Sequence, residues 1–395
     1  MTSALDAGGM DEVVAFLAGH LRNVDVHTAV LHATPKPLSE GTPTGRIGRL
    51  LASQGIEVLE ASERAGRAWV GSWGPDVISA HGAPGWVLEM AQDLQVPYID
   101  TLHGMHSLFG TDWAIEALRA EKLAAVVAVS ETVRQQYLAG NPTFPQDRII
   151  TIPNAVDDRR RPPADRSEAR ARLGLTSEYV FVSLARHCLQ KNSYGLVTAF
   201  GEVAESYPDA HLVIAGRPDD ARYFRKVERL RRSLPSRDRI HLRDHTPAPA
   251  EMLAAADGFV LDSFFEGWSL ASMEALFAGL PVVISEVGGA REQVGDDPRR
   301  GYVVPNPLGD PLAVGWQTIG AARYRDQVNR PDVVSAMRNL IAYRSSYLDG
   351  RERLAAESAV RFSPAICLAA HADVLTAVAN GSAPHTKVRS LRTEK

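Results

Sequence analysis

Two glutamates separated by seven residues, Glu266 and Glu274, form the part of the chain best suited to chemistry. Apolar residues recur at helical spacing from about Ser269 onwards, so we predict a helix that stops at Gly279. Glu266 then lies in the loop before this helix, and Glu274 lies one to two turns inside it. The backbone N–H groups at the start of the helix, at Ser269 and Leu270, point between the two carboxylates. An anion is predicted to bind there.

The surroundings of this pair decide how it is interpreted, because two glutamates eight positions apart are most often solvated side chains on a helix. A β-rich run at residues 258–263 precedes the loop, and an apolar run at residues 281–285 follows the helix. A strand, a loop, a helix and a second strand in this order place the polar groups at the carboxyl end of a strand. Open α/β sheets bind their ligands at that edge.

Short β-branched runs alternate with helical patterns along most of the chain, which predicts parallel sheets covered by helices on both faces. The predicted strands are residues 24–31, 76–80, 98–102, 125–129, 148–152, 179–184, 211–215, 240–243, 258–262, 281–285 and 301–304. The predicted helices between the first of these strands include residues 11–20, 86–94 and 131–138. We therefore predict an α/β fold of two Rossmann-like domains whose parallel sheets face each other across a cleft. The cleft is the expected ligand site.

The composition of the chain limits the class of protein. With 395 residues, 45% hydrophobic and 23% charged, the chain is long enough for two domains and typical of a soluble enzyme. A net charge of −4 argues against a nucleic-acid-binding protein. The two cysteines, Cys188 and Cys367, support neither a disulfide scaffold nor a zinc site. No signal-peptide pattern and no apolar run of about 18 residues is found, so we expect a cytoplasmic protein with at most peripheral membrane contact.

Five blocks of sequence resemble the motifs of one enzyme family, in the family's order and over nearly the whole chain. They are the Glu266/Glu274 pair as an E-x7-E signature, the strand end at Arg186 followed five residues later by Lys191, the IPNAVD segment at 152–157, the TLHG loop that contains His103, and the pair Gly8 and Gly9. On these residues the chain resembles the retaining glycosyltransferases of family 4, also called glycosyl transferases group 1. The resemblance implies the GT-B fold.

The resemblance also implies an activity and a domain plan. We expect a hexosyltransferase that moves a sugar from a nucleoside diphosphate sugar to a hydroxyl acceptor in polysaccharide, glycolipid or natural-product biosynthesis. The acceptor-side domain would comprise residues 1–158 and the nucleotide-sugar domain residues 159–350. Helices over 351–380 would pack back toward the first domain, and residues 381–395 would form a disordered tail. Residues 157–163 suit an exposed hinge, although their arginines could instead contact an anionic acceptor.

A sugar-nucleotide donor requires fixed positive charge, because breaking the anomeric bond places negative charge on the diphosphate. Arg186 and Lys191 follow a predicted strand and are the expected cations, although a single basic residue in a loop is ordinarily a solvated surface residue. Together with the N–H groups of Ser269 and Leu270, they could replace a metal. The sequence contains no Asp-x-Asp pair, so we predict no obligatory divalent cation and no other cofactor.

By the same resemblance, Glu274 accepts hydrogen bonds from the ribose and Glu266 contacts hydroxyls of the transferred sugar. A carboxylate suits either role because it accepts from two vicinal hydroxyls. His103 is expected beside the donor sugar near the reaction centre, although a lone histidine is more often structural. Gly8, Gly9 and Gly267 complete the predicted donor-binding residues.

No pair of carboxylates is placed for a double displacement of the kind that glycosidases use. We therefore expect front-face attack with the diphosphate as base, as the resemblance implies. A sugar-nucleotide epimerase of the same fold and a non-catalytic partner subunit of that fold are the alternatives. The sequence leaves the donor sugar, the base, the acceptor and the oligomeric state open.

The family's first hydrophobic strand is represented here only by the residues before Gly8, which are short and poor in β-branched side chains. They predict at most a frayed strand at a position that is normally central in the sheet. We therefore expect the true translation start to lie upstream of Met1. The glycine pair itself would allow the backbone to approach a ligand closely, or would simply serve a turn.

Overall fold

The computed structural model describes residues 1–5, 8–34, 45–155, 165–244 and 248–384. The chain forms two compact units, of which the first combines Met1–Val156 with Ser363–Lys395 and the second is Asp157–Phe362. Both units are α/β structures in which neighbouring strands pair in parallel. The α/β class predicted from the sequence is thus confirmed.

The first unit alternates strands and helices through its described part. Its strands are β1 (Ala29–Ala33), β2 (Glu57–Ala61), β3 (Ile78–Ala80), β4 (Tyr98–Leu102), β5 (Ala125–Ala128) and β6 (Ile149–Thr151). Its helices before residue 156 are α1 (Gly9–His20), α2 (Arg46–Ser53), α3 (Glu63–Trp73), α4 (Gly85–Asp93), α5 (Trp113–Ala120) and α6 (Glu131–Gly140). Strands β3 to β6 form one sheet in sequence order, and β1 pairs with β2.

Met1 and Thr2 join these two groups of strands. Thr2 bridges in parallel to His32 of β1 and to His81, just after β3. The Thr2 N–H donates to the Leu31 carbonyl at 3.0 Å, and the His81 N–H donates to the Met1 carbonyl at 2.8 Å. This is the frayed central strand that the sequence predicts.

The described residues of the second unit form a six-stranded parallel sheet. Its strands are β7 (Tyr179–Leu184), β8 (Ala210–Ala215), β9 (Ile240–Arg243), β10 (Gly258–Leu261), β11 (Val282–Ser285) and β12 (Gly301–Val304). Its helices are α7 (Arg166–Arg172), α8 (Ser193–Ser206), α9 (Ala221–Ser233), α10 (Pro249–Ala255), α11 (Leu270–Phe277), α12 (Ala290–Val294), α13 (Trp316–Ala322), α14 (Arg330–Ala342), α15 (Arg344–Asp349) and α16 (Arg351–Arg361). A last helix, α17 (Pro364–Ala379), belongs to the first unit.

The strand order β12-β11-β10-β7-β8-β9 is the doubly wound order of a Rossmann fold. The sheet core is built from apolar side chains such as Phe181 of β7, Phe200 of α8 and Val260 of β10, all of which are fully buried. Strands covered on both faces must be apolar at nearly every position, which explains the continuous hydrophobic runs in the sequence. The order reverses between β7 and β10, so the sheet has its switch point there.

Two sequence predictions for the first unit are wrong in detail. The strand predicted over 24–31 begins only at Ala29, because Leu21–Val24 forms a 3-10 turn and Asp25 has a left-handed φ of 59°. Strand β2 has no counterpart among the predictions.

The helices predicted over 351–380 are α16 and α17, of which α16 belongs to the second unit and α17 to the first. Most of the predicted hinge at 157–163 and most of the predicted tail lie outside the described residues.

Within the described residues, Arg351–Ala379 is long and apolar enough by length and composition to span a membrane, contrary to the sequence expectation. The chain breaks there into two helices, and half of the apolar window is buried, as in core helices of soluble proteins.

Candidate functional site

Most of the predicted site residues lie at the switch point of the second unit. Strands β7 and β10 are parallel neighbours, so their carboxyl ends meet at one edge of the sheet. The chain leaves β7 through Arg186 and Lys191 and leaves β10 through Asp262 and Glu266. A crevice at this position is where doubly wound sheets bind nucleotides and related ligands.

Lys191 and Glu266 are in direct contact. Lys191 ends a 3-10 turn at Leu189–Lys191, and its Nζ donates to Glu266 Oε1 at 2.5 Å. The Ser263 hydroxyl donates to the same carboxylate oxygen at 2.7 Å, and Gln190 Nε2 donates to Oε2 at 3.4 Å. The Glu266 side chain is buried, so these donors fix its orientation.

Helix α11 begins beside this ion pair. Ser269 is its N-cap, and the Ser269 hydroxyl accepts from the Ser272 N–H at 3.2 Å. The helix ends at Phe277, and Gly279 adopts a left-handed φ of 69° just beyond it, as the sequence predicts. Glu274 lies inside the helix and is buried. The first-turn N–H groups, which include that of Leu270, have no acceptor within the helix and carry its positive dipole end.

A glycine loop after β11 supports the Glu266–Gly267 backbone. The Gly289 N–H donates to the Gly267 carbonyl at 2.9 Å. Gly288 has a φ of 45°, and a Cβ atom there would lie 2.1 Å from the Gly267 oxygen. A side chain at position 288 is therefore excluded, and the close packing of the two loops requires glycine.

Arg186 lies on the same edge but is held differently. Its guanidinium donates to Asp219 Oδ2 at 2.5 Å and to Gln190 Oε1 at 3.2 Å. The side chain is about half exposed, at 46%. Asp219 follows β8, the other neighbour of β7, and was not among the predicted residues. Gln190 accepts from Arg186 and donates to Glu266, so it connects these two side chains.

A buried polar cluster behind this edge was also missed by the sequence analysis. Asp262, directly after β10, accepts from Asn192 Nδ2 at 2.8 Å and from Asn329 Nδ2 at 2.7 Å. Gln327 and Asn192 exchange two hydrogen bonds through their side-chain amides, each 2.8 Å long. Burial raises the pKa of the Asp262 carboxyl to about 7. Two sequence signals were available for this cluster, since Asn192 directly follows Lys191 and Asp262 lies on the segment that leads to Glu266.

His103 lies in the first unit, after β4. Its Nε2 is 2.7 Å from His81 Nδ1, and His81 Nε2 is 3.2 Å from the Ser79 hydroxyl. Burial, together with smaller contributions from the nearby His371 and His106, lowers the pKa of His103 to about 3. His103 is therefore neutral near pH 7, so each of its ring nitrogens either donates or accepts a hydrogen bond, but not both.

Gly8 and Gly9 also lie in the first unit, at the start of α1. Gly8 is the N-cap, and its N–H donates to Asp11 Oδ2 at 3.0 Å. Its φ of −137° is ordinary extended backbone, and a Cβ atom would approach no neighbouring atom closer than 3.8 Å. The fold itself thus does not require glycine at position 8.

The structure brings together the seven predicted site residues of the second unit and places the other three in the first unit. The seven are Arg186, Lys191, Glu266, Gly267, Ser269, Leu270 and Glu274. Among the described residues, no group of three or more His, Cys, Asp or Glu side chains is arranged to hold a metal ion.

Comparison with known proteins gives two matches to family models. The model described as Glycosyl transferases group 1 matches residues 165–315, and the model described as Glycosyltransferase Family 4 matches residues 7–160. The two matched segments lie one after the other and together extend over most of the chain.

Individual relatives are similar at lower identity. A glycogen synthase of Mycobacterium tuberculosis is 28% identical over 237 residues, which are 56% of this chain and 55% of that protein. The match therefore spans little more than half the length of this relative. A D-inositol 3-phosphate glycosyltransferase of Xylanimonas cellulosilytica is 27% identical over 389 residues, with 84% of this chain and 87% of that protein covered.

Among solved structures, Anabaena HepE in complex with UDP and glucose is similar with a TM-score of 0.73 and 16% sequence identity. The match covers 95% of this chain and 98% of that chain. At this identity the likeness concerns the fold alone. The chain has the GT-B fold that its sequence predicts.

Proposed function

Because the chain belongs to the group 1 glycosyltransferases, we propose that it moves a hexose-type sugar from a nucleoside diphosphate sugar to a hydroxyl group of an acceptor, with retention of configuration. The products would be a polysaccharide, a glycolipid or a natural product. We further propose that the transfer requires no divalent metal and takes place in the cytoplasm.

The observation that carries this proposal is the arrangement at the switch point. The amino end of α11 begins at Ser269, next to the Lys191–Glu266 ion pair, and Arg186 lies on the same sheet edge. N–H groups at a helix start and two cations are the donors that a diphosphate requires. As the anomeric bond breaks, these fixed charges would stabilise the negative charge that develops on the leaving diphosphate.

The two glutamates would recognise the neutral parts of the donor. Glu274 is buried within α11, where a carboxylate would accept hydrogen bonds from the ribose hydroxyls. Glu266 is held by Lys191 and Ser263 and would accept from hydroxyls of the transferred sugar. Gly267 and Leu270 would contribute backbone groups to the same donor site.

The comparisons favour a uridine nucleotide as the first donor to test. Anabaena HepE is described in complex with UDP-glucose, and the pneumococcal O-GlcNAc transferase GtfA in complex with UDP and GlcNAc. Both share only the fold with this chain. Two D-inositol 3-phosphate glycosyltransferases are among the relatives whose match covers most of this chain. Their names indicate an acceptor that carries hydroxyl groups, which favours a hydroxyl acceptor for this chain.

We propose that the reaction proceeds by front-face attack. The acceptor hydroxyl would form the new bond on the face from which the diphosphate departs, and its proton would pass to the diphosphate. His103, neutral at pH 7, would donate a hydrogen bond to the sugar. Gly8 and Gly9 would allow the backbone to approach the donor.

The experiment that tests the proposal is incubation of the purified protein with a panel of nucleoside diphosphate sugars, with and without candidate acceptors. Release of diphosphate should depend on an acceptor. Lys191→Ala and Arg186→Ala should each lower turnover by roughly 10²–10³-fold, the usual loss for one charge-stabilising donor. Lys226→Ala and Arg232→Ala, exposed residues of α9, are the matched controls and should leave turnover unchanged.

Two results would overturn the proposal. Interconversion of donors without an acceptor would identify an epimerase instead, and near-normal turnover in both Lys191→Ala and Arg186→Ala would remove the assigned diphosphate site. Activity that disappears with EDTA and returns with manganese would refute metal independence alone.

A further inference from the structure

Three segments that are distant in sequence meet behind Lys191 through buried side chains. Asn192 follows the Lys191 turn, Asp262 follows β10, and Gln327 and Asn329 precede α14. Asn192 and Asn329 are fully buried, and Asp262 is 2% exposed. Four side-chain hydrogen bonds of 2.7–2.8 Å connect the four residues, which we call the Asp262 cluster.

Asn192 has a backbone conformation that depends on these bonds. Its φ of 50° is left-handed, and it is the only non-glycine residue with a positive φ in the described part of the second unit. Asparagine adopts this conformation more readily than other non-glycine residues because its short polar side chain can form local hydrogen bonds. The side-chain amide of Asn192 donates to Asp262 and Gln327, and its Oδ1 accepts from the Gly195 N–H at 3.3 Å to cap α8.

The conformation of Asn192 sets the direction of the chain at Lys191. The Asn192 N–H donates to the Leu189 carbonyl and the Lys191 N–H to the Cys188 carbonyl, both at 3.2 Å, which closes the turn. From this turn, the Lys191 side chain reaches Glu266. A change of Asn192 to right-handed φ would redirect the chain and move the Lys191 ammonium.

A carboxylate at position 262 matches this task better than an amide does. Both oxygens of Asp262 accept from amide N–H groups, of Asn192 and of Asn329. An asparagine at position 262 would present an N–H group to one of these donors and lose that bond. Among the described residues, no Lys, Arg or His forms an ion pair with Asp262, so its burial carries a desolvation cost that an uncharged side chain would avoid.

We infer that Asp262 and Asn192 are positioning residues that hold the Lys191 turn, and through it the Lys191 ammonium, in place for the diphosphate of the donor. This inference rests on the proposed function. It adds a role for buried residues that are not among the predicted donor-binding residues.

A double-mutant cycle tests whether Asp262 acts through Lys191. Asp262→Asn should lower turnover by about 10- to 10²-fold, the loss expected when a reacting group is misplaced. In a Lys191→Ala background, the same substitution should change turnover by less than about twofold, because no ammonium remains to be positioned. Equal losses in both backgrounds would overturn the inference.

Asp257 provides the matched control, since it is a buried aspartate at the other end of β10. Asp257 pairs with Arg166, Arg170 and Arg344, away from Lys191. At temperatures below the melting transition of each variant, Asp257→Asn should alter turnover by the same factor in the wild-type and the Lys191→Ala backgrounds. If the effect of Asp257→Asn on turnover depended on Lys191 as strongly as the effect of Asp262→Asn does, the coupling would be general. That result would overturn the assignment of Asp262 as a positioning residue.

Substitutions of Asn192 separate the backbone conformation from the side chain. Asn192→Gly keeps the left-handed conformation accessible, whereas Asn192→Ala disfavours it. Turnover should be several-fold higher for the glycine variant, with both variants folded by circular dichroism. Equal turnover of the two variants would argue against the inference. Normal turnover in Lys191→Ala would contradict the proposed function itself. The double-mutant cycle includes this variant, so failure of the proposed function can be told apart from failure of the inference about Asp262 and Asn192.

Discussion

Lys191 and Glu266 form an ion pair with 2.5 Å between Nζ and Oε1. In the proposed function, however, Lys191 binds the diphosphate and Glu266 binds the transferred sugar. Both side chains are largely buried, with exposures of 15% and 8%. Because the Lys191 ammonium has three N–H donors, a diphosphate that binds it would share it with the Glu266 carboxylate or replace that carboxylate. Exchange of partners on Lys191 would leave Glu266 free to accept from sugar hydroxyls.

Glu266→Gln is predicted to separate nucleotide binding from catalysis. Removal of the carboxylate charge should strengthen UDP binding by more than about fivefold, because it leaves the largely buried Lys191 ammonium without an anionic partner, which the diphosphate then supplies. Turnover should fall by roughly 10²-fold, because the glutamine amide offers the sugar hydroxyls one acceptor oxygen where the carboxylate offers two. Calorimetric titration with UDP and initial-rate assays measure the two effects. Glu228→Gln on α9 is the control, and weaker UDP binding by Glu266→Gln would contradict the partner exchange.

Gly288→Ala is predicted to displace the Glu266 loop. The added Cβ would lie 2.1 Å from the Gly267 oxygen, and the φ of 45° is unfavourable for alanine. Turnover should fall by about 10²-fold, since a shift of about 1 Å at a reacting group has that effect. Gly315→Ala is the matched control, because its φ is extended and a Cβ there would meet no atom within 4 Å. Steady-state rates of both variants, with thermal melts, provide the test, and equal rates would count against this packing.

The sequence was most informative where strands are buried on both faces. The predicted bounds of β4 and β7 coincide with the structure, because nearly all of their positions are buried and such segments have few alternative conformations. Strand β2 was missed because Glu57 and Glu60 interrupt its apolar pattern, and only its pairing with β1 makes it a strand. Tertiary pairing of this kind has no local signature.

The site residues that could be predicted from the sequence are those that belong to a motif directly after one strand. Arg186, Lys191 and Glu266 were found because they match the motifs of the family and each follows a buried strand, and parallel strands end at one edge. Gln327 was not found, because its partner Asn192 lies 135 positions away and Gln327 itself belongs to no motif. Contacts between distant segments depend on loop conformations that the pattern of apolar residues does not specify.

Acid destabilisation of the fold is predicted to depend on His371 of α17. Burial lowers its pKa to about 4, whereas an unfolded chain has a histidine pKa of about 6.5. The unfolded chain therefore binds a proton first, and stability present above pH 6.5 is lost as the pH falls toward 4. The loss should be about 3 kcal/mol. Chemical denaturation between pH 4.5 and about 7.5 should show a shallower pH dependence for His371→Gln than for wild type. The exposed His27→Gln should follow wild type, and a parallel profile for His371→Gln would refute the prediction.

Asp262 is predicted to have opposite effects on stability and activity as the pH changes. Its folded pKa of about 7 lies above the unfolded value of about 3.9, so the folded protein retains a proton that the unfolded chain has lost. The stabilising contribution is complete below pH 3.9 and is lost as the pH rises through 7. Relative to Asp262→Asn, wild type should lose up to about 4 kcal/mol of unfolding free energy over this range.

Activity should change in the other direction, because only the ionised carboxylate accepts from both Asn192 and Asn329. In the part of the chain that the structure describes, Tyr223 of α9 also interacts with Asp262, and its raised pKa keeps Tyr223 neutral across this range. Wild-type turnover at saturating donor should therefore rise as the pH passes 7, and Asp262→Asn should lack this inflection. Unfolding free energies and turnover of both proteins between about pH 5 and 8 test the pair of effects. If Asp262→Asn kept the inflection, the titration would belong to another group. If the unfolding free energy of wild type relative to Asp262→Asn increased with pH, the predicted direction of the stability change would be wrong.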